Sequence, residues 1–306
     1  MLTRRQAIAA SVLAAILAAA PSGAQEQPKD KLRVIASFSI LGDLVKNVGG
    51  DRVEVGTLVG PNGNAHVYAP SPSDAKRVAN AKLVFVNGLG FEGWLERLVK
   101  ASGTKAPVIV ATKGIKPRER AGEHGRDHDH GQADPHAWQS VANAKIYVAN
   151  IRDALIAADP ASKAAYEANA AAYLAKLDAL EREVREVIAK IPADRRKVIT
   201  SHDAFGYFEA AYGIAFIAPQ GVSTEAEASA RDVAAIIAQI KKQKIAAVFL
   251  ENVTDPRLVE QIARETGAKI GGTLYSDALT DDKGDATTYI DLIRHNLRQL
   301  ATALMS

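Results

Sequence analysis

Three histidines and one aspartate occupy matching places along this chain. His66 lies in "GPNGNAHVYAPSPSD", a loop dense in turn residues that follows the alternating, strand-like "DRVEVGTLVG". His136 lies in "DPHAW", ahead of the helix-like "VANAKIYVANIRDAL". His202 follows the apolar run of "KVITSHDAFGYF", and Asp277 follows that of "GGTLYSDAL". Neutral imidazole nitrogens and a carboxylate oxygen are donors suited to a divalent cation. Loops at the carboxyl ends of strands in open α/β sheets share one edge of the sheet. Two of the four residues come from each half of the chain, so two lobes facing one another would bring them together. Taken singly, each histidine also fits a polar loop residue, and Asp277 a helix cap or turn former. Position alone leaves both readings open.

The elements that must place these residues are legible as alternating short β-branched runs and helical patterns. Residues 32–37, 53–59, 82–88 and 107–112 are predicted strands in the first half, and 197–201, 214–219, 246–251 and 268–275 in the second. Helical patterns lie between them, including "SILGDLVKNVGG", "PSDAKRVANA", "ARDVAAIIAQIKKQ" and "DPRLVEQIARETG". Ser71, with Pro72 and Asp74 after it, reads as a helix start with a capping box. This alternation predicts an α/β fold: two lobes, each a mostly parallel four-stranded sheet flanked by helices. Between the halves, Asp159 as N-cap, Pro160 at the first position and Pro192 as stop predict one long rigid helix over 159–192. Tyr173, Leu177, Leu180, Val184, Val187 and Ile191 form its apolar stripe. At 1.5 Å per residue it would run roughly 48 Å and link the lobes as a strut, although the pattern also fits a helix within one domain. The expected lobes are 25–158 and 193–306.

The chain has 306 residues, 47% hydrophobic and 24% charged, which is a globular composition with room for two domains. Residues 1–24 read as a signal peptide: Arg4 and Arg5, an apolar run from Ala7 to Ala20, then Ser22-Gly23-Ala24 as a small-residue cleavage site. The apolar run is too short to span a bilayer. Thr3-Arg4-Arg5 suggests twin-arginine export, but Ala7 departs from that signal, and ordinary secretion fits equally. Removing this segment takes two arginines and no acid, so the formal net charge falls from +3 to +1. That charge gives no reason to expect a nucleic-acid partner. Cysteine is absent, so disulfides and thiolate metal sites are excluded and a metal must be held by nitrogen and oxygen.

A histidine-bearing segment, "RERAGEHGRDHDHGQ" at 118–132, carries His124, His128 and His130 among acids and glycines. With no apolar residue beyond alanine it is expected to be a solvated loop. It reads either as an auxiliary weak metal-capture segment or as an insertion with incidental histidines. His295, within "DLIRHNLRQL", reads as an ordinary helix residue. Trp138 and Phe205 flank candidate ligands and fit either a lining of the site or plain core packing.

The stretches "GPNGNAHVYAPSPSDAKRVANAKLVFVNGLGFEGWLERL", "DPHAW", "TSHDAFGYF" and "ENVTDPRLVEQIARETGAKIGGTLYSDAL" resemble the solute-binding proteins of zinc and manganese ABC transporters (cluster A-I), in that family's order and spacing from about residue 32 to 300. The resemblance implies two α/β lobes joined by one long helix, with a metal buried between them. Its ligand positions fall on His66, His136, His202 and Asp277. Ala69 stands where many members have glutamate, and "HAWQS" lacks a further Asp-Pro, but neither departure touches a ligand position. The manganese branch typically has glutamate at the third position, which here is His202. Three imidazoles and one carboxylate suit Zn²⁺, whereas Mn²⁺ prefers more oxygen. The implied function is capture of Zn²⁺ in the periplasm by a monomer. Delivery is to a membrane permease with a cytoplasmic ATPase, with loading by a periplasmic zinc metallochaperone an open option. Capture needs neutral imidazoles, so affinity should fall as pH drops. A manganese-binding member of the same family is the alternative. A secreted zinc hydrolase is a weaker one: four protein ligands close the position a catalytic water needs, no His-Glu-x-x-His occurs, and Glu251 is the sole candidate base. A metal-buffering or adhesive surface protein could share the same site.

Overall fold

The computed structural model describes residues 31–118, 133–245 and 247–305. The signal-peptide reading of 1–24 and the histidines at 124, 128 and 130 lie outside the described residues. The first sheet is built from β1 (Leu32–Phe38), β2 (Val53–Val59), β3 (Leu83–Val86) and β4 (Val108–Val110). The second is built from β5 (Lys197–Ile199), β6 (Ala215–Ile217), β7 (Ala247–Glu251) and β8 (Lys269–Leu274). All pairings are parallel, and the orders β2-β1-β3-β4 and β6-β5-β7-β8 are the same topology used twice. Each predicted strand is present: β1 runs one residue further than expected, β2 has the expected bounds, and the other six are one or two residues shorter at their ends. All four residues of β3, "LVFV", are buried, as expected of a central parallel strand covered on both faces.

Helices α1 (Ser39–Gly49), α2 (Pro72–Ala79), α3 (Leu95–Ser102) and α4 (Val141–Ala158) accompany the first sheet. Helices α6 (Gly206–Tyr212), α7 (Ala230–Gln243), α8 (Arg257–Thr266) and α9 (Tyr289–Met305) accompany the second. Between them runs α5 (Lys163–Lys190). It packs against α1 and α4 on one side and α6 and α9 on the other. At 1.5 Å per residue its 28 residues span about 42 Å, enough to link the lobes. Tyr166, Ala170, Tyr173, Leu177, Leu180, Val184 and Ile188 are its buried stripe.

The start of this helix differs from the sequence expectation. Asp159 ends α4, Pro160–Ser162 form a separate 3₁₀ turn, and α5 begins at Lys163. The Asp159 side chain accepts a hydrogen bond from the Tyr166 hydroxyl at 3.2 Å rather than capping a helix N-terminus. A proline compatible with a first helical turn has been used for a corner between two helices.

Candidate metal centre

Each candidate ligand is held by a local device and then by a long-range one. At the far end of the loop after β2, Ser71 and Asp74 form the expected capping box of α2. The Tyr68 hydroxyl also donates to Asp74, at 2.8 Å. Trp94 Nε1 pins the middle of the loop by donating to the Ala65 carbonyl at 2.7 Å. Immediately before each N-lobe histidine the chain repeats one turn: the His66 N–H donates to Asn64 Oδ1 at 3.0 Å, and the His136 N–H to Asp134 Oδ1 at 2.9 Å. This Asx-x-His spacing is the local signal in the sequence for both turns. The His136 loop is also fixed by Asn87, whose amide donates to the Pro135 carbonyl at 2.8 Å. Beside it, Gly206 lets Asp134 approach, because a Cβ there would lie 2.6 Å from Asp134 Oδ2.

In the second lobe, Glu251 at the end of β7 accepts the backbone N–H groups of Ser201 and His202 at 2.7 and 2.9 Å. Glu92 plays the equivalent part in the first lobe, accepting from the Asn87 and Gly88 N–H groups and the Ser37 hydroxyl. Asp277 is placed across the cleft: Trp138 Nε1 and Gln139 Nε2 both donate to the Ser276 carbonyl, at 2.9 and 2.8 Å.

These supports bring His66, His136, His202 and Asp277 together, all buried, with one donor atom from each within 4.8 Å of the others. His66 Nε2 lies 3.2 Å from His136 Nε2 and 3.3 Å from Asp277 Oδ2. Asp277 Oδ2 lies 3.2 Å from His202 Nε2, and Oδ1 3.5 Å from His136 Nε2. Two bonds of about 2.0–2.1 Å to a tetrahedral centre would set donor atoms about 3.3–3.4 Å apart, close to these four separations. Both Asp277 carboxylate oxygens and His202 Nε2 are buried without a hydrogen-bond partner among the described residues. Polar atoms left so would be costly unless a ligand satisfies them. The donor set therefore fits one divalent cation.

Two carboxylates stand behind the imidazoles. Asp134 Oδ1 is 2.9 Å from His136 Nδ1, which assigns the proton to Nδ1 and leaves the Nε2 lone pair facing the cluster. Glu251 Oε2 stands 2.7 Å from His202 Nδ1, off the line of a well-formed hydrogen bond. The Arg118 guanidinium lies 3.9 Å from Asp134. Burial works against charge on His202, yet Glu251 and Asp277 outweigh it and raise its pKa well above the usual imidazole value. Burial would raise Asp277, but His202 and His136 outweigh it and hold it well below the carboxylate range. His66 is lowered by burial, with Asp277 partly opposing. A cation binding at His202 Nε2 thus competes with a proton.

Aromatic rings wall the cluster on the N-lobe side. Phe91 sits 4.8 Å from His66, and Trp138 5.3 Å from His136, centroid to centroid. Phe205, in contrast, stacks on Phe216 at 4.6 Å in the second lobe's core. Glu251 supports the His202 turn, so its nomination as a hydrolytic base is replaced by an orienting role. His295 is an ordinary buried helix residue, meeting Asp285 Oδ2 and the Thr273 carbonyl at 2.7 and 2.8 Å.

The family described as the periplasmic component A of zinc-uptake complexes (ZnuA) matches residues 34–303. The chain belongs to this ZnuA family. Family membership makes it a metal ABC-transporter substrate-binding protein and not an enzyme. It is 36% identical to the iron-binding protein YfeA of Yersinia pestis, across 91% of this chain and 89% of that protein. It is 30% identical to the manganese ABC transporter substrate-binding lipoprotein PsaA of Streptococcus pneumoniae, across 97% of both. The periplasmic zinc-binding protein TroA of Treponema pallidum superposes with a TM-score of 0.82 at 30% identity, covering 90% of this chain and 99% of that one. These ZnuA-family relatives are thus named for three different metals.

Proposed function

We propose that this chain is an exported, monomeric zinc-capture protein. It holds Zn²⁺ on His66, His136, His202 and Asp277 in the periplasm and hands it to a membrane permease driven by a cytoplasmic ATPase. The observation that carries the choice of zinc is the nitrogen-rich donor set: three imidazoles and one carboxylate converge, with one donor atom from each within 4.8 Å of the others. His202 supplies nitrogen where a harder cation such as Mn²⁺ would be better served by oxygen. His124, His128 and His130 act as a weaker auxiliary capture segment, and a periplasmic metallochaperone is a compatible source of the cargo.

Manganese is the competing cargo, favoured by the names of relatives such as PsaA. Elemental analysis of the purified mature chain after exposure to equal zinc and manganese separates the two. One equivalent of zinc retained through chelator washing is the expected result, and retention of manganese in its place would overturn the zinc assignment.

A further inference from the structure

Asn64 belongs to the N-lobe loop, yet its side chain faces both lobes. Its Oδ1 accepts the His66 N–H at 3.0 Å, closing the turn that presents that imidazole. Its Nδ2 donates across the cleft to Thr224 Oγ1 at 2.9 Å and to the Val253 carbonyl at 3.2 Å. The Thr224 hydroxyl also lies 3.2 Å from Asn64 Oδ1. Two residues earlier, the Asn62 N–H donates to the Leu279 carbonyl at 2.8 Å, and Asn62 Oδ1 accepts from Asn252 Nδ2 at 3.3 Å. Asn62 holds φ at +55°, a left-handed conformation that asparagine tolerates better than most residues. The loop is therefore fastened to the segment just after Asp277 as well as to the loops carrying Thr224 and Val253.

A carboxamide is the side chain that can do both tasks at once, because it carries an acceptor and a two-hydrogen donor on one planar group. An aspartate would keep the turn and lose the donor, and an alanine would lose both. We propose that Asn64 is a positioning residue that couples closure of the cleft to the placement of His66. With the lobes together, the cross-cleft bonds fix the amide, the amide fixes the His66 backbone, and the imidazole is held against its partners. Opening the mouth breaks the Asn64–Thr224 and Asn64–Val253 contacts and frees the turn, so His66 becomes the first ligand able to leave. The inference rests on the metal-capture reading but not on which metal is carried.

The test is release of bound zinc to excess chelator, followed in time, with the association rate measured separately. Variants are Thr224→Val, Thr224→Ser, Asn64→Ala and the Asn64→Ala/Thr224→Val pair. Losing the two neutral hydrogen bonds between Thr224 and Asn64, which must break on opening, should speed release at least about fivefold. Thr224→Val is expected to do so with association unchanged, Thr224→Ser to restore the slow rate, and Thr224→Val to add nothing once Asn64 is alanine. Thr224 touches no proposed ligand, so a merely structural loss would not give this split. Release indifferent to Thr224→Val, or a double variant whose effect is the product of the singles, would overturn the latch. A wild-type chain that takes up no divalent cation would overturn the capture reading itself.

Discussion

At the scale of single residues, the site is organised by side chains that never face the cation position. Asp134 orients the His136 imidazole through Nδ1, while Glu251 holds the backbone N–H groups of Ser201 and His202 and sets its other oxygen 2.7 Å from His202 Nδ1. Outer partners of this kind typically contribute 10–100-fold to metal affinity. Glu251→Gln keeps the shape and removes the charge, so zinc affinity should fall by about that factor, whereas His202→Ala should fall further because a donor atom is gone. Competition against a calibrated chelator measures both, with circular dichroism confirming the fold. Equal affinity in Glu251→Gln and wild type would remove Glu251 from the site. Three of the four candidate ligands, His66, His202 and Asp277, stand out because each follows a β-branched run, and His136 because it sits in a loop ahead of a helix; the topology puts such loops on one edge, and the family resemblance selects among the readings that position leaves open. Glu92, Phe91 and the cross-cleft partners of Asn64 were not legible, since those contacts join residues with no local sequence relation. Ser37 and Glu92 are 55 positions apart, and Asn64 and Thr224 are 160 apart.

At the scale of elements, one carboxylate ties the two lobes' helices together. Asp43 on α1 accepts the Tyr289 N–H in the first turn of α9 at 2.9 Å, and Asn47 donates to its other oxygen at 3.0 Å. Burial pushes Asp43 up to about 6, more than the hydrogen bonds from Tyr289 and Asn47 pull it down. The folded state then holds this proton more tightly than the unfolded one. Its contribution to stability is present in full below about pH 4 and is lost as pH rises through about 6. The loss is up to about 3 kcal/mol. Asp43→Asn keeps an acceptor for Tyr289 and cannot ionise, so urea unfolding at pH 4.5 and 7.5 should show that difference shrink in the variant. A difference as large as wild type's would assign the pH dependence elsewhere. The strands were readable because short β-branched runs bounded by turn residues have few alternatives. The start of α5 was not, because Asp159-Pro160 suits either a helix N-terminus or a corner, and the packing of Tyr166 against Asp159 decides between them.

At the scale of the whole molecule, the base of the cleft is bolted while its mouth is lightly latched. Trp138 and Gln139 grip the Ser276 carbonyl, the Tyr289 hydroxyl donates to the Trp138 carbonyl at 2.7 Å, and the Tyr212 hydroxyl accepts the Val141 N–H at 3.1 Å. With α5 lying along both lobes, these buried bonds restrict opening to a small movement at the mouth. A cation held from both lobes should stabilise them as one unit. At a free zinc concentration a thousandfold above Kd, the gain is about 4 kcal/mol, or about 10 °C in Tm for a chain of this size. Calorimetry should show a single transition moving upward by that amount, and no movement in His202→Ala. Two transitions with one indifferent to zinc would place the cation in a single lobe.

The most direct measurement is anomalous diffraction at the zinc edge from crystals of the zinc-loaded mature chain. One strong peak is expected between the lobes, about 2.0–2.1 Å from the Nε2 atoms of His66, His136 and His202 and within bonding distance of Asp277. A peak lying elsewhere, or one from which any of these four side chains is turned away, would contradict the account.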